Sequence, residues 1–271
     1  MAMTEMTGRG LVLLGCGKMG GAMLRGWLAG GLDPASVHVI DPNPGAWLHA
    51  AGVRVNGALP DDPAIVVVAV KPQMMGAALP ALKGYGGGAT LFVSVAAGTT
   101  IATYEAMLGA RTPVVRAMPN TPAAVGRGIT AIVGNAAASA ADLDQAEALL
   151  GAVGQVVRLE DEDQMDAVTG LSGSGPAYVF HMIECLAAAG EAEGLAPELA
   201  MQLAKATVAG AGALAEAAEE SPAQLRANVT SPNGTTQAGL EVLMDETTGL
   251  SPLIRRTVAA AAARSRELRD G

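Results

Sequence analysis

The chain has 271 residues, of which 50% are hydrophobic, 3% aromatic and 16% charged. This length predicts one large or two medium domains, with a core large enough to need no disulfide or metal staple. The net charge of -9 argues against nucleic acid or an anionic membrane surface as a partner.

The sequence gives no indication of membrane insertion or of secretion. Apolar runs such as residues 65–70 are far shorter than the ~18 residues needed to cross a bilayer. Residues 11–14 are too few for the apolar core of a signal peptide. The two cysteines, Cys16 and Cys185, imply no disulfide framework. We therefore expect a soluble, cytoplasmic protein.

A strand, a glycine-rich turn and a helix open the chain. Residues 11–14 form an apolar run typical of a buried parallel strand, and GCGKMG follows at residues 15–20. In dinucleotide-binding turns Gly15 would allow the tight bend, Gly17 the approach of a pyrophosphate, and Gly20 close helix packing. The helix would present its positive end to the phosphates. The alternative is a glycine-rich packing turn.

A second strand is expected at residues 37–40, and Asp41 follows it. An acid after this strand, about 20 residues past the glycine turn, binds the ribose 2'-hydroxyl in dinucleotide-binding folds. The alternative is that Asp41 begins an Asx-turn before Pro42, and both interpretations stay open. A carboxylate at the ribose would repel a 2'-phosphate and favour NADH over NADPH.

Strand and helix patterns alternate up to about residue 160, which predicts a parallel sheet with right-handed crossovers. Further strands are expected at residues 53–55, 65–70, 91–95, 114–116, 129–133 and 155–159. Loops after parallel strands meet at one edge of the sheet, so those at Gly15, Asp41, Lys71, Ala97 and Met118 should converge on one crevice.

Beyond the acidic run at residues 160–163 only helical patterns occur. They cover residues 164–171, 178–190, 197–218, 222–228, 235–244 and 252–268. Many of these helices are apolar nearly all round, so we expect them to pack against another subunit. The predicted domains are a dinucleotide-binding α/β domain at residues 1–160 and an all-α domain at residues 161–271.

Two loops in the helical half have candidate binding roles. Residues 171–178, LSGSGPAY, feed a helix at Pro176, and they either approach a nicotinamide or form a tight helix junction. Residues 231–236, SPNGTT, open another helix. Its free amides suit a substrate carboxylate, and its hydroxyls can donate to a substrate heteroatom. Ordinary threonine capping is the alternative.

Other chemistries have little support in the sequence. His38, His49 and His181 lack metal-ligand spacing to one another or to the cysteines. Neither a G-x-S-x-G elbow nor a P-loop occurs. We therefore expect neither a metal nor a serine nucleophile.

Six motifs together resemble the pyrroline-5-carboxylate reductase family in order and spacing, over essentially the whole chain. They are GCGKMG, AVKP at 69–72, VAAG at 95–98, RAMPNTP at 116–122, DAVTGLSGSGPAY at 166–178 and SPNGTT. The resemblance implies reduction of 1-pyrroline-5-carboxylate to L-proline by hydride from NAD(P)H, the final step of proline biosynthesis. It also implies a Rossmann domain followed by a helical domain that interlocks with a second subunit in a homodimer or larger ring.

The resemblance also assigns site residues. With the glycine turn and Asp41 included, the cofactor residues are Leu14, Gly15, Cys16, Gly17, Lys18, Met19, Gly20, Asp41, Asn43, Asn56, Ala69, Val70, Lys71, Pro72, Ala97 and Asn228. The substrate residues are Glu162, Gly234, Thr235 and Thr236, with Thr236 the catalytic donor to the ring nitrogen.

The sequence departs from the family pattern at two positions. Asn233 replaces a glycine of the substrate loop, and asparagine tolerates the positive φ such a turn needs. Asp41 replaces a neutral residue, which puts the family's usual NADPH preference in doubt.

Two rival functions follow from the same pattern. A β-hydroxyacid dehydrogenase, or another imine reductase of the same plan, would share the two domains. The dehydrogenases use a lysine in the second domain as acid and base, whereas Lys205 is the only lysine in the second half here. A non-catalytic nucleotide sensor would have no need for the loop at 231–236. A reductase of a cyclic imine needs chiefly to position the ring and exclude water.

Overall fold

The computed structural model describes residues 8–270. The chain divides into two compact units, one of Met1–Gly173 with Ala261–Gly271 and the other of Ser174–Ala260. The predicted boundary at residue 160 does not coincide with the limits of these units, and it stays a prediction.

The first unit contains an eight-stranded sheet. Its strands are β1 (Leu11–Leu14), β2 (Val37–Ile40), β3 (Arg54–Val55), β4 (Ile65–Val68), β5 (Leu91–Ser94), β6 (Val114–Met118), β7 (Gly128–Gly134) and β8 (Gly154–Arg158). They lie in the order β3-β2-β1-β4-β5-β6-β7-β8. The first six are parallel, and their order reverses between β1 and β4. In doubly wound sheets a ligand binds beyond the carboxyl ends of the strands at such a reversal.

Both faces of the sheet are covered by helices. The helices of this unit between β1 and residue 173 are α1 (Lys18–Ala29), α2 (Trp47–Ala50), α3 (Met75–Ala78), α4 (Ile101–Leu108), α5 (Ala140–Leu150) and α6 (Met165–Val168). Leu11 and Leu13 of β1 belong to one hydrophobic cluster, and Val12 and Leu14 to another. A strand buried on both faces has no polar side, which explains the continuous apolar run in the sequence.

The prediction of a uniformly parallel sheet is wrong at β6 and β7. These strands run antiparallel, with Val115 opposite Gly134 and Met118 opposite Ala131. The connection at residues 119–127 contains only a short 3-10 helix, Thr121–Val125. A parallel crossover takes a dozen or more residues, so this connection can only return the chain antiparallel. Strand β8 then pairs in parallel with β7.

The chain between the sheet and the second unit also differs from the prediction of one helix at 164–171 and a turn at 171–178. A 3-10 helix at Glu162–Gln164 leads into α6, and a π-helical turn follows at Thr169–Gly173. Helix α7 begins at Gly175, with Pro176 in its first turn. The glycines and serines at residues 170–175 thus do not interrupt the helix, and the chain passes from α6 to α7 through a turn that is wider than an α-helical one.

The second unit is helical, as predicted. It contains α7 (Gly175–Ala192), α8 (Pro197–Ala217), α9 (Pro222–Asn228), α10 (Thr235–Leu243) and the start of α11 (Leu250–Asp270). Ala187 of α7 packs against Ala200 and Ala204 of α8. Large apolar side chains of this unit remain exposed, among them Phe180, Leu186, Leu203, Leu214, Val242 and Leu253. Apolar surface of this extent marks an interaction face.

Among the described residues, no helix is long and apolar enough to cross a membrane.

The carboxylate of Asp166 holds the last turns of α11 in the first unit. This residue is 3% exposed. Its Oδ1 accepts a hydrogen bond from the Ser265 hydroxyl at 2.6 Å, and its Oδ2 accepts one from Arg269 Nη1 at 2.8 Å. A buried carboxylate needs such partners because it has lost its hydration.

We predict that Asp166→Asn lowers the free energy of unfolding by about 2 kcal/mol, because an amide cannot accept both bonds or neutralise Arg269. Urea denaturation followed by circular dichroism measures the change. The control is Glu267→Gln, which removes the charge from the exposed Arg264–Glu267 pair (2.6 Å) and should change stability by less than about 0.5 kcal/mol. Equal effects of the two substitutions would contradict the role given to Asp166.

Candidate active site

The predicted cofactor residues of the first unit lie at one edge of the sheet. Leu14 ends β1, and Asp41, Ala69 and Ala97 stand just beyond the ends of β2, β4 and β5. These strands are parallel, so their carboxyl ends share an edge. The structure thus brings together the residues predicted at 14–20, 41, 43, 56, 69–72 and 97.

The three glycines of the turn meet different surroundings. Gly15 has φ +89°, and a Cβ there would lie 2.9 Å from the Ala69 carbonyl oxygen. A Cβ on Gly20 would overlap the carbonyl oxygen of Gly15. A Cβ on Gly17 would meet no atom within 4 Å. The first and third glycines therefore serve the tight turn and the helix contact, and the second leaves open space beside the backbone.

The beginning of α1 fits a pyrophosphate. Gly17 is the residue before the helix, and no side chain caps the first amides. The first turn contains no acidic residue. Uncapped amides and the positive helix end favour an anion. Burial, then the neighbouring Asp41 carboxylate, raises the pKa of the Cys16 thiol to about 11, so this residue adds no negative charge at neutral pH.

Asp41 uses both carboxylate oxygens to order this edge. Oδ1 accepts a hydrogen bond from the Asn43 amide at 2.8 Å, which is the Asx-turn, and Oδ2 accepts one from the Cys16 amide at 2.6 Å. The side chain of Asn56 holds the backbone of Asp41 on both sides: Oδ1 accepts from the Asp41 amide at 3.0 Å, and Nδ2 donates to the Asp41 carbonyl at 2.8 Å. The carboxylate is thereby fixed directly beside the glycine turn.

Glu162 makes contacts that the sequence did not predict. Its Oε1 accepts from Arg116 Nη1 at 2.6 Å and from the Ile101 amide at 2.9 Å. Arg116 lies on β6 and is 2% exposed. The Glu162 carboxylate therefore joins Arg116 of the sheet to the first residue of α4. Only Oε2 of Glu162 is left for a ligand. Sequence reasoning missed Arg116, although a charged residue inside an apolar strand indicated a buried partner.

A buried polar cluster lies close to this ion pair. The Ser94 hydroxyl at the end of β5 hydrogen-bonds the Tyr104 hydroxyl and accepts a bond from the Ala96 amide at 3.2 Å. Burial raises the pKa of Tyr104 to about 12, so the phenol stays neutral over the physiological range. Its role is to hold the end of β5 rather than to exchange protons.

The loop between β6 and β7 adjoins the π-helical turn. A Cβ on Gly173 would lie 3.5 Å from the Met118 sulfur. Asn120 Nδ2 donates to the Ser172 hydroxyl at 3.3 Å. The structure thus places part of the LSGSGPAY segment against the end of β6. The sequence did not predict this contact.

The predicted substrate loop precedes α10 in the second unit. Asn233 has φ +58°, which confirms that asparagine supports the left-handed turn. The Gly234 amide donates to the Ser231 carbonyl at 3.1 Å, and the Asn233 amide donates to Gln237 Oε1 at 2.8 Å. Within the described part of the chain, no acceptor lies in reach of the Thr235 and Thr236 amides. No side chain caps α10, and its first turn is free of acidic residues.

Asn228, predicted to contact the cofactor, ends α9 in the same unit. Its Oδ1 accepts from Gln224 Nε2 at 2.7 Å, which leaves its own amide hydrogens for another partner.

The fold and the glycine turn define a Rossmann-type dinucleotide-binding protein with a helical second unit. A model described as pyrroline-5-carboxylate reductase dimerisation matches residues 162–268, and one described as NADP oxidoreductase, coenzyme F420-dependent, matches residues 11–98. The pyrroline-5-carboxylate reductase of Pseudomonas aeruginosa is 41% identical over 266 residues, 96% of this chain and 97% of the relative. The chain belongs to the pyrroline-5-carboxylate reductase family, a family of NAD(P)H-dependent oxidoreductases.

Solved structures agree with this assignment. A pyrroline-5-carboxylate reductase from Coxiella burnetii has a TM-score of 0.90 at 34% identity, covering 96% of this chain and 98% of that one. The Plasmodium falciparum enzyme, solved with NADP bound, has a TM-score of 0.82 at 28% identity with the same coverage. The predicted fold class, family and reductase class are confirmed.

We predict that Gly20→Ala raises the dissociation constant for NADH by more than about tenfold, because the added Cβ overlaps the Gly15 carbonyl and opens the turn. The adjacent Gly21→Ala is the control. Its Cβ would lie 3.6 Å from the Cys16 carbonyl oxygen, an ordinary contact, and alanine is the better helix former. Fluorescence titration with NADH compares the two. Equal losses of affinity would show that the turn does not depend on this contact.

Proposed function

We propose that this chain catalyses the reduction of 1-pyrroline-5-carboxylate to L-proline in the cytoplasm, as the final step of proline biosynthesis. The observation that carries the substrate assignment is the loop at residues 231–236, where uncapped amides and a hydroxyl lie together at the start of α10. Membership of the family supports the reaction.

The substrate carboxylate suits the amides of Thr235 and Thr236. These amides lie at the positive end of a nine-residue helix, where a carboxylate is favoured by both hydrogen bonding and the helix dipole. The Thr236 hydroxyl then donates to the ring nitrogen of the imine, and Gly234 and Glu162 line the same ligand. A protonated cyclic imine accepts hydride at carbon without a further acid or base, so the site requires no catalytic histidine or lysine.

The cofactor residues divide the dinucleotide between them. The amides of Lys18 and Met19 face the pyrophosphate, and Asp41 and Asn43 face the adenosine ribose, with Asn56 holding Asp41 in place. When bound, the nicotinamide supplies the hydride, and residues 69–72, Ala97 and Asn228 orient that end. The fixed Asp41 carboxylate supports a preference for NADH, because a 2'-phosphate would meet a negative charge.

We further propose that two chains complete the site between them as a homodimer or larger ring. The exposed apolar faces of α7, α8 and α10 support this arrangement, since an isolated subunit would leave them in water. The substrate loop of one subunit would then serve the cofactor of the other.

We predict that Thr236→Ala lowers kcat/KM for pyrroline-5-carboxylate by about 100-fold, because the donor to the imine nitrogen is lost. Thr236→Ser, which keeps the hydroxyl, is the matched control and should stay within a few-fold of the wild type. The measurement is NADH oxidation under steady-state conditions, with NADPH run in parallel. Unchanged turnover of Thr236→Ala would remove this residue from the mechanism.

We predict that Asp41→Ser raises the NADPH/NADH ratio of kcat/KM by about tenfold, since the charge opposing the 2'-phosphate disappears. Asp41→Asn separates the charge from the size of the side chain and should shift the ratio in the same direction. Asp33→Ser changes the net charge equally, at the start of a 3-10 turn before β2, and should leave the ratio unaltered. If Asp33→Ser shifts it as much, the effect is one of overall charge.

A further inference from the structure

The proposed function assigns no role to the π-helical turn at Thr169–Gly173. Widened turns of this kind are rare and occur frequently at functional sites. This one packs beside the end of β6, where a Cβ on Gly173 would lie 3.5 Å from the Met118 sulfur. It therefore stands at the edge of the sheet that carries the cofactor residues.

The course of the dinucleotide indicates which part of it reaches this turn. Asp41 follows β2, the glycine turn follows β1, and Ala97 follows β5. With the adenosine ribose near β2 and the pyrophosphate near β1, the other half extends across β4 towards β5 and β6. The nicotinamide end is thus the end that approaches the π-helical turn.

Asn120 fixes the hydroxyl of Ser172 in this turn. Asn120 Oδ1 accepts from the Ile129 amide at 3.0 Å, which ties the side chain to β7, and Nδ2 donates to Ser172 Oγ at 3.3 Å. A hydroxyl that accepts on one side presents its hydrogen on another. In the described residues 8–270, no acceptor for this hydrogen lies within hydrogen-bonding distance, and Ser172 is only half-buried.

We propose that the Ser172 hydroxyl donates to the carboxamide oxygen of the nicotinamide, and that Asn120 is the positioning residue that directs it. This inference rests on the proposed use of NAD(P)H. The carboxamide oxygen is a strong acceptor attached to the reacting ring, so one directed donor fixes the rotation of the ring about its ribose bond. Residues 118–120 and 169–173 then act together to orient the hydride donor.

The test compares NADH with ADP-ribose, which has the adenosine and pyrophosphate groups but no nicotinamide. Isothermal titration calorimetry gives both dissociation constants for each variant. Ser172→Ala should weaken NADH binding by about three- to tenfold, the range for one lost hydrogen bond, and leave ADP-ribose binding unchanged. Equal weakening of both ligands, or no weakening of NADH, would overturn the contact.

Asn120→Asp tests the positioning role. The substitution keeps an acceptor for the Ile129 amide but replaces the Nδ2 donor with an oxygen, so the Ser172 hydroxyl turns towards the introduced carboxylate instead of the cofactor. NADH binding should weaken as in Ser172→Ala, and the double variant should be no weaker than Ser172→Ala alone. Additive losses would show that Asn120 does not act through Ser172.

Ser139→Ala is the control for a lost serine hydroxyl. Ser139 caps α5 after β7 and accepts from the Asp142 amide at 3.2 Å, so the substitution should lower stability without changing either affinity.

A measurement of activity separates this inference from the proposed function. A wild-type chain that binds NADH more tightly than ADP-ribose but fails to reduce pyrroline-5-carboxylate would refute the function and leave the Ser172 comparison valid.

Discussion

The close contact between α1 and the turn after β1 is the constraint on which the rest of the cofactor edge depends. With no side chain at Gly20, the helix begins directly beside the Gly15 carbonyl. The same helix approaches residues 151–153 at Gly26, where a Cβ would lie 2.5 Å from Val153 Cγ1, and Trp27 Nε1 donates to the Leu149 carbonyl at 2.8 Å. Packing along the whole helix therefore fixes where its uncapped amides point.

Asp41 shows that a structural and a functional interpretation of one residue need not compete. A carboxylate has about four lone-pair directions, and here one oxygen orders the Asx-turn and the other binds the Cys16 amide. Both bonds leave capacity for a ribose hydroxyl, and both restrict the rotation of the side chain. A negative charge held in this way cannot move aside for a 2'-phosphate, which supports the proposed preference for NADH.

Most of the fold could be predicted because its signals are local. Apolar runs, the glycine turn and the proline and glycine stops between helices each depend on a few neighbouring residues. The reversal at β7 depended instead on the length of one connection. The π-helical turn lies against Met118, a residue far from it in the sequence. The pairs Arg116–Glu162 and Asp166–Arg269 join residues 46 and 103 positions apart. The sequence shows such charges but not their partners.

The chemistry proposed for this site links the assembly of subunits to catalysis. A reaction that relies on position and on exclusion of water requires a closed site. In the single chain, however, Thr235 and Thr236 are exposed, as are large apolar side chains on α7, α8 and α10. Burial of those apolar faces by a second subunit, as proposed, would remove water from the same helices that carry the proposed substrate loop. In the proposed assembly the alanine-rich, weakly charged helices of the second unit would serve two requirements, since the surface that drives association would also lower the polarity around the imine.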